Sequence, residues 1–278
     1  MTVNPIPFDF NDKQLADIYD ELPLWSASFG QLMLEHMPLQ PSMSVLDVGC
    51  GTGFPLLELS ARLGQSSHVV GLDVWQAALS RARKKRDFFG VNHVSLVTYS
   101  GDNFPFADAS FELVTSNLGV NNFADPNHAI RECHRVTKSE GQLALTTNLV
   151  GHMAEFYAIF RQVLIQLGHA DYVERLDYQE AHRGTIETHQ ALLTDNDYRI
   201  EAVKERSFIM RYANGTALFQ HPMIRFGFLP AWVNLIDESD QSEIFQLLET
   251  QLNDYALGRG GLTLTIPMVY LLASRTPL

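Results

Sequence analysis

Between Ser44 and Asn148, short apolar runs alternate with amphipathic stretches. No other feature of the chain limits its fold as strongly. "SVLDV" (Ser44–Val48), "HVVGLDV", "HVSLVTY", "SFELVTSN" and "GQLALTTN" read as strands. "FPLLELSARLG" reads as a helix that stops at Gly64, "WQAALSRARKKRDFFG" as one that ends at Gly90, and "PNHAIRECHRVT" as one with Pro126 in its first turn. Strand–helix alternation of this kind predicts an α/β fold, a doubly wound, mostly parallel sheet of the Rossmann-like kind. A strand within "RIEAVKERSFIMRYA" and a closing strand in "GLTLTIPMVYLLAS" bring the expected total to seven. The pattern after Asn148 is different. "GHMAEFYAIFRQVLIQLG" is a strongly apolar helix, and "GTALFQHPMIRFGFLPAWVNLI" and "DQSEIFQLLETQLNDYALG" are further helical segments rich in aromatic residues. The expected organisation is an N-terminal helical arm over 1–40, a sheet core over 41–150, and the remainder of the sheet with helical insertions forming a cap over 151–278.

The first strand runs into "VLDVGCGTGFP" (Val45 to Pro55), with glycines at 49, 51 and 53 behind the acid Asp47. A dinucleotide-binding turn spaces its glycines G-x-G-x-x-G, and the position of its third glycine here holds Phe54. A buried carboxylate beside a pyrophosphate would also repel it. The same carboxylate favours a cation, the glycines allow close approach of the backbone, and a helix N-terminus suits a small carboxylate. A ligand with an amino group, a carboxylate and a sulfonium meets all three conditions, and S-adenosylmethionine is that ligand. Asp73 ends the second strand about 20 residues after the last glycine, where an acid holds ribose hydroxyls in doubly wound folds. That spacing also suits a nicotinamide nucleotide, and the same acid can serve as a helix N-cap.

Taken in order, "VLDVGCGTG", "VVGLD", "FPFADASFELV" and "AIRECHRVTKSEGQLAL" resemble the successive motifs of class I S-adenosylmethionine-dependent methyltransferases, most closely the ubiquinone-biosynthesis type that acts on small molecules. The resemblance covers roughly residues 42–150. It implies that Asp47, Gly49, Gly51 and Gly53 hold the methionyl end, that Asp73 holds ribose, and that Val74 and Trp75 flank adenine. Where the family carries an aspartate–alanine pair before "PF", this chain has Ser100 and Gly101 followed by Asp102, so either Ser100 or Asp102 faces the adenine amino group. "KSEGQL" stands in place of a proline–glycine–glycine turn and leaves Gly141 to supply it. "IYDELPLWSASFG" resembles the helix that closes over the cofactor, with Tyr19 and Trp25 as covering rings.

Open parallel sheets bind ligands beyond the C-terminal ends of their strands. Those ends read Asp47, Asp73, Ser100, Asn117 and Asn148. Asn117 is expected under the methionine moiety, with Asn121 or Asn122 toward the acceptor. Methyl transfer is an in-line displacement that depends mainly on alignment and exclusion of water, and it needs a base only when the acceptor arrives protonated. Candidate bases are His182, His152 and Tyr157, with Glu155, His189 and His221 as further titratable groups. Trp25, Asn121, Asn148, Arg183 and His221 are the candidate acceptor-pocket residues, and Arg183 would pair with an acidic acceptor. The aromatic walls imply an acceptor of modest size that is partly hydrophobic.

The formal charge of −12 on 278 residues opposes binding to nucleic-acid phosphates and anionic membranes. "RARKKR" (Arg81 to Arg86) is the one dense basic run and reads as a solvated helix face. No Asp/Asn-Pro-Pro-aromatic motif follows the fourth strand, which argues against adenine methylation in DNA. Neither cysteine follows a proline, which argues against cytosine C5 chemistry. Two cysteines are too few for a disulfide scaffold, a zinc–thiolate cluster or arsenic methylation, so no metal is expected. The start "MTVNPIPFDFNDKQ" has no basic, apolar leader pattern, and no apolar run approaches bilayer length; the expectation is a soluble, cytoplasmic protein. The sequence leaves two alternatives to methyl transfer: a non-catalytic S-adenosylmethionine-binding protein and an NAD-linked oxidoreductase.

Overall fold

The computed structural model describes residues 4–7, 9, 11–21, 24–101 and 103–276, the side chains of Glu21 and Asn121 excepted. The strands are β1 (Ser44–Val48), β2 (His68–Asp73), β3 (Val94–Thr98), β4 (Phe111–Asn117), β5 (Thr137–Asn148), β6 (Tyr198–Tyr212) and β7 (Leu262–Arg275). They form one seven-stranded sheet in the order β3-β2-β1-β4-β5-β7-β6. β1 pairs parallel with β2 and β4, β2 with β3, and β4 with β5, while β7 runs antiparallel to β5. The chain order reverses at β1, between β2 and β4, and such a switch point opens a crevice at the strands' C-terminal ends.

The central strands are apolar because both faces are covered. Val45, Leu46, Leu113, Val114, Leu143 and Ala144 are fully buried. The helices of the first half are α1 (Lys13–Glu21), α2 (Leu24–His36), α3 (Leu56–Leu63), α4 (Gln76–Phe89) and α5 (Pro126–Val136). Their ends follow local chemistry. Gly90 closes α4 in the left-handed region, and Asp125 caps α5 by accepting the His128 N–H, with Pro126 in its first turn. β6 is the outermost strand beside β7, and it carries Arg199, Glu201, Lys204, Glu205 and Arg206. Charge on an edge strand discourages pairing with another chain.

The helices that follow are α6 (Ala154–Leu167), α7 (Ala170–Ala181), α8 (Ile186–Thr194), α9 (Gly215–Gln220), α10 (Pro222–Gly227), α11 (Leu229–Val233) and α12 (Glu238–Ala256). The Tyr-, His- and Glu-rich stretch before Arg183, which shows no clear period in the sequence, is the helix α7. "GTALFQHPMIRFGFLPAWV" breaks into three short helices, two of them with a proline in the first turn, Pro222 and Pro230.

The turn expected at Gly141 lies elsewhere. β5 already begins at Thr137, the left-handed residue is Glu140, and the pairing with β4 shifts register between Phe111 and Leu113. Gly141 is there for space: a Cβ on it would stand 2.7 Å from Thr137 Cγ2 and 2.9 Å from the Lys138 carbonyl.

By internal contacts the chain divides into two compact units. The sheet unit comprises 9–148, 185–206 and 268–278; the helical unit comprises 1–8, 149–184 and 207–267. The helical unit is built around stacked and edge-on rings, with Phe156 on Trp232 at 4.1 Å and Phe160 and Phe219 against Phe245. No helix among the described residues is long and apolar enough to cross a membrane.

Candidate active site

The glycine turn leaves β1 where the sheet order reverses. Gly49 and Cys50 donate their N–H groups to the Leu72 carbonyl at 2.8 and 3.2 Å, which ties the turn to β2. Gly49, Gly51 and Gly53 all have positive φ. At Gly51 this conformation coincides with open space, since a Cβ there would meet nothing within 4 Å. Gly51 therefore forms a cradle that a side chain would fill.

Two acids support the turn. Asp73 accepts the Gly51 N–H on one oxygen and the Trp75 N–H on the other, both at 2.7 Å. A third backbone bond, from Val74, leaves the carboxylate one of its four acceptor sites for a ligand hydroxyl. Asp47 is 1% exposed; its Oδ1 accepts from the Thr115 hydroxyl at 2.8 Å, while its Oδ2 has no hydrogen-bond partner among the described residues. Burial pushes the Asp47 carboxyl up to about 7, against the Thr115 hydrogen bond and helped by the nearby Asp73 charge. A buried, half-satisfied carboxyl at a strand end is suited to a cationic ligand group.

Tyr19, Asp20 and Ser26 from the N-terminal arm, Gly49 through Thr52, Phe54 and Asn117 line one cleft. Of the residues expected to bind the cofactor, Tyr19, Gly49, Gly51 and Asn117 lie on its wall. Asn117 is held by the Thr146 hydroxyl on its oxygen (2.7 Å) and donates to the Ser26 carbonyl (3.1 Å). Trp75 is buried and meets Tyr19 edge-on, with ring centroids 5.4 Å apart. Val74 is exposed, and Ser100 and Gly101 are exposed in the segment after β3. Asp102 lies outside the described residues.

Sequence reasoning did not assign Asp20, Ser26, Cys50, Thr52 or Phe54 to the site. Asp20 is the most informative of these. It accepts from Arg81 Nε at 2.8 Å and Lys85 Nζ at 2.5 Å, and it also bonds Thr52 of the glycine turn. Burial opposes its ionisation, but the bonds from Lys85 and Arg81 prevail and hold the carboxyl below the usual range. The basic run of α4 is therefore more than a solvated face, since two of its cations fasten α1. An acid within an arm helix, set against one dense basic run, was the available signal.

The remaining candidates fall in different units. Trp25 and Asn148 are buried in the sheet unit, Trp25 against Phe29 at 5.3 Å, and Asn121 sits in the single turn of 3-10 helix Gly119–Asn122. The helical unit holds His152, Tyr157, His182, Arg183 and His221. His182 is exposed at the end of α7. His152 is buried, and burial, followed by the charge of Arg183, pushes it down to about 3. His221 lies edge-on to Tyr212 at 5.4 Å. Among the described residues, no group of three or more His, Cys, Asp or Glu is placed to hold a metal ion.

Residues 46–145 match the methyltransferase domain family. Demethylmenaquinone methyltransferase of Listeria welshimeri is 35% identical over 139 residues, which is 49% of this chain and 59% of that protein. The enzyme of that name from Oceanobacillus iheyensis is 31% identical over the same length, 58% of its own. The chain thus spans less than two thirds of these relatives. The YcgJ protein of Bacillus subtilis shares the fold, with a TM-score of 0.61 at 16% identity, over 91% of this chain and all of that one. The matched segment contains the glycine turn, Asp47, Asp73 and Asn117, but neither the arm that carries Tyr19 and Asp20 nor any residue of the helical unit.

Proposed function

We propose that this chain transfers a methyl group from S-adenosylmethionine to a small, partly hydrophobic organic acceptor. The observation that carries the proposal is the cradle at Gly51 beside a buried carboxyl with one unpartnered oxygen. The residues fit the group. Asp47 suits the methionyl ammonium, the backbone of Gly49 and Gly51 allows close approach, and Asp73 has an acceptor site left for a ribose hydroxyl. Trp75 and Val74 are the candidates for the adenine flank. S-adenosylmethionine, when bound, supplies a methyl group already activated by its sulfonium charge.

The chain's own contribution is to position and to exclude water. The Asp73 carboxylate holds the turn in its open form through the Gly51 N–H. Asn117 is oriented from both ends of its amide, by Thr146 and by Ser26. Tyr19 and Asp20 cover the cleft from the arm, and Asp20 is fastened to Arg81 and Lys85. The name of the relatives points to a quinone-like ring as acceptor class. A neutral buried His152 is a weak base, so it suits hydrogen bonding better than proton abstraction at neutral pH.

Calorimetry of the full chain with S-adenosylmethionine and with NAD, followed by a methyl-label transfer assay over quinols and hydroxylated aromatics, tests this reading. Binding of the first compound alone, with label appearing in an acceptor, is expected. Binding of NAD alone would replace it with an oxidoreductase, and cofactor binding without transfer to any acceptor would leave a binding protein.

A further inference from the structure

The helical unit keeps a small polar cluster inside its aromatic core. His152, in the loop before α6, is 1% exposed, and neither of its ring nitrogens has a hydrogen-bond partner among the described residues. The loop that holds it is firmly anchored. His152 donates its backbone N–H to Leu149, Val150 donates to the Gly184 carbonyl at 2.8 Å, and Met153 donates to Thr265 at 2.7 Å. One turn further on, the Glu155 carboxylate takes both the N–H and the hydroxyl of Thr265. A ring fixed this well and yet unsatisfied on both nitrogens is unusual, because buried polar atoms in folded proteins almost always have partners.

Its surroundings have one chemical character. The Tyr157 ring stands edge-on to His152 with centroids 5.5 Å apart, and its oxygen accepts the Trp232 indole N–H at 3.1 Å, which leaves the phenolic proton to donate. Arg183 follows α7 in the segment that the Val150 bond ties to the His152 loop; it is half-buried, and its charge acts on both the histidine and the tyrosine. Glu180, whose charge acts on Tyr157, pairs with Arg161 at 2.5 Å, alongside Asp177. A neutral imidazole N–H, a phenol and a guanidinium all offer protons, and the cluster carries positive charge. Phe228 lies 6.3 Å from His152 and stacks on Trp232 at 5.9 Å, which gives flat apolar surface beside the donors.

We propose that His152, Tyr157 and Arg183 form a binding site for the acidic oxygen, phenolic or carboxylic, of an aromatic small molecule. That this molecule is the methyl acceptor rests on the function proposed above; that the site binds it does not. His152 and Tyr157 give direction through hydrogen bonds, and Arg183 gives the charge that distinguishes an ionised oxygen from an ether.

The probes are 2-naphthol, 2-naphthoate and 2-methoxynaphthalene, titrated calorimetrically into the full chain with and without S-adenosylmethionine. Binding of the naphthol, the naphthoate or both is expected, with the ether at least tenfold weaker; which of the two binds tells phenol from carboxylate. His152→Phe and Arg183→Met should each weaken the bound probe about tenfold or more while S-adenosylmethionine binds as in the parent chain, which shows that the variants are folded. The melting temperature of His152→Phe should hold or rise, because the change removes two unsatisfied polar atoms. Equal binding of all three probes, binding of none, or unchanged probe affinity in both variants would overturn the site. A chain that binds the probes but never transfers a methyl group would sink the function while leaving the site standing.

Discussion

Asp47 and Gly51 show how single residues serve the site at a cost to the fold. A carboxyl held at about 7 in the folded chain, against about 4 in the unfolded one, binds more protons when folded across that window. Stability therefore falls as pH rises from about 4 to 7, and at pH 8 the penalty is roughly 4 kcal/mol at most, at about 1.4 kcal/mol per unit. Asp47→Asn should abolish this slope and melt higher than the parent at pH 8, as read by denaturation across pH. It should also weaken S-adenosylmethionine at least tenfold, as read by calorimetry, because the ammonium loses its charged partner. In the parent chain, affinity for the cofactor should drop as pH falls below about 7, where protonation of Asp47 competes with the ligand's ammonium. Gly51→Ala tests the cradle separately. With no atom within 4 Å, the methyl group clashes with nothing, so the loss is the left-handed strain of roughly 1 kcal/mol. Calorimetry should show a far larger loss of cofactor binding than this, and a parallel fall in both quantities would mean that the turn is merely structural.

At the scale of elements, the strand–turn–helix of β1 and α3 was legible because its signals are local. An apolar run, glycines that adopt positive φ without strain, and a helical period all lie within one stretch of chain. The same holds for the α4 and α5 ends at Gly90 and Pro126. The start of β5 was not legible, because a register shift against β4 and the crowding around Gly141 involve a strand distant in sequence. Nor was the partner of α1, since the Asp20–Arg81 and Asp20–Lys85 pairs join residues more than 60 apart. These pairs make a prediction at this scale. Asp20→Asn should free α1, so that trypsin cuts after Lys13 about tenfold faster, in line with about 1.5–3 kcal/mol for a hydrogen bond to a charged group. Unchanged cleavage would mean that the arm is held by the packing of Leu15, Ala16 and Tyr19 and the Asp17–Arg81 pair instead.

For the whole molecule, a ligand that binds the folded chain alone raises its melting temperature by mass action. At 100 times its Kd, S-adenosylmethionine should add about 2.7 kcal/mol, or about 5–10 °C for a chain of this length, in a thermal shift assay; NAD at equal concentration should add nothing. What the sequence by itself determined was the α/β sheet with its order-reversing crevice, the glycine turn, and the acids at the ends of β1 and β2. Each of these is written in periodicity, in glycine or in strand-end polarity, signals that act over a few residues. Tertiary structure alone decided that Asp47 keeps an unpartnered oxygen, that Asp73 carries the Gly51 N–H, that α1 is fastened to α4, and that His152 meets Tyr157 within reach of the Arg183 charge while His182 faces solvent. Burial and partnership depend on which distant segments fold together, and no short window of residues contains that information.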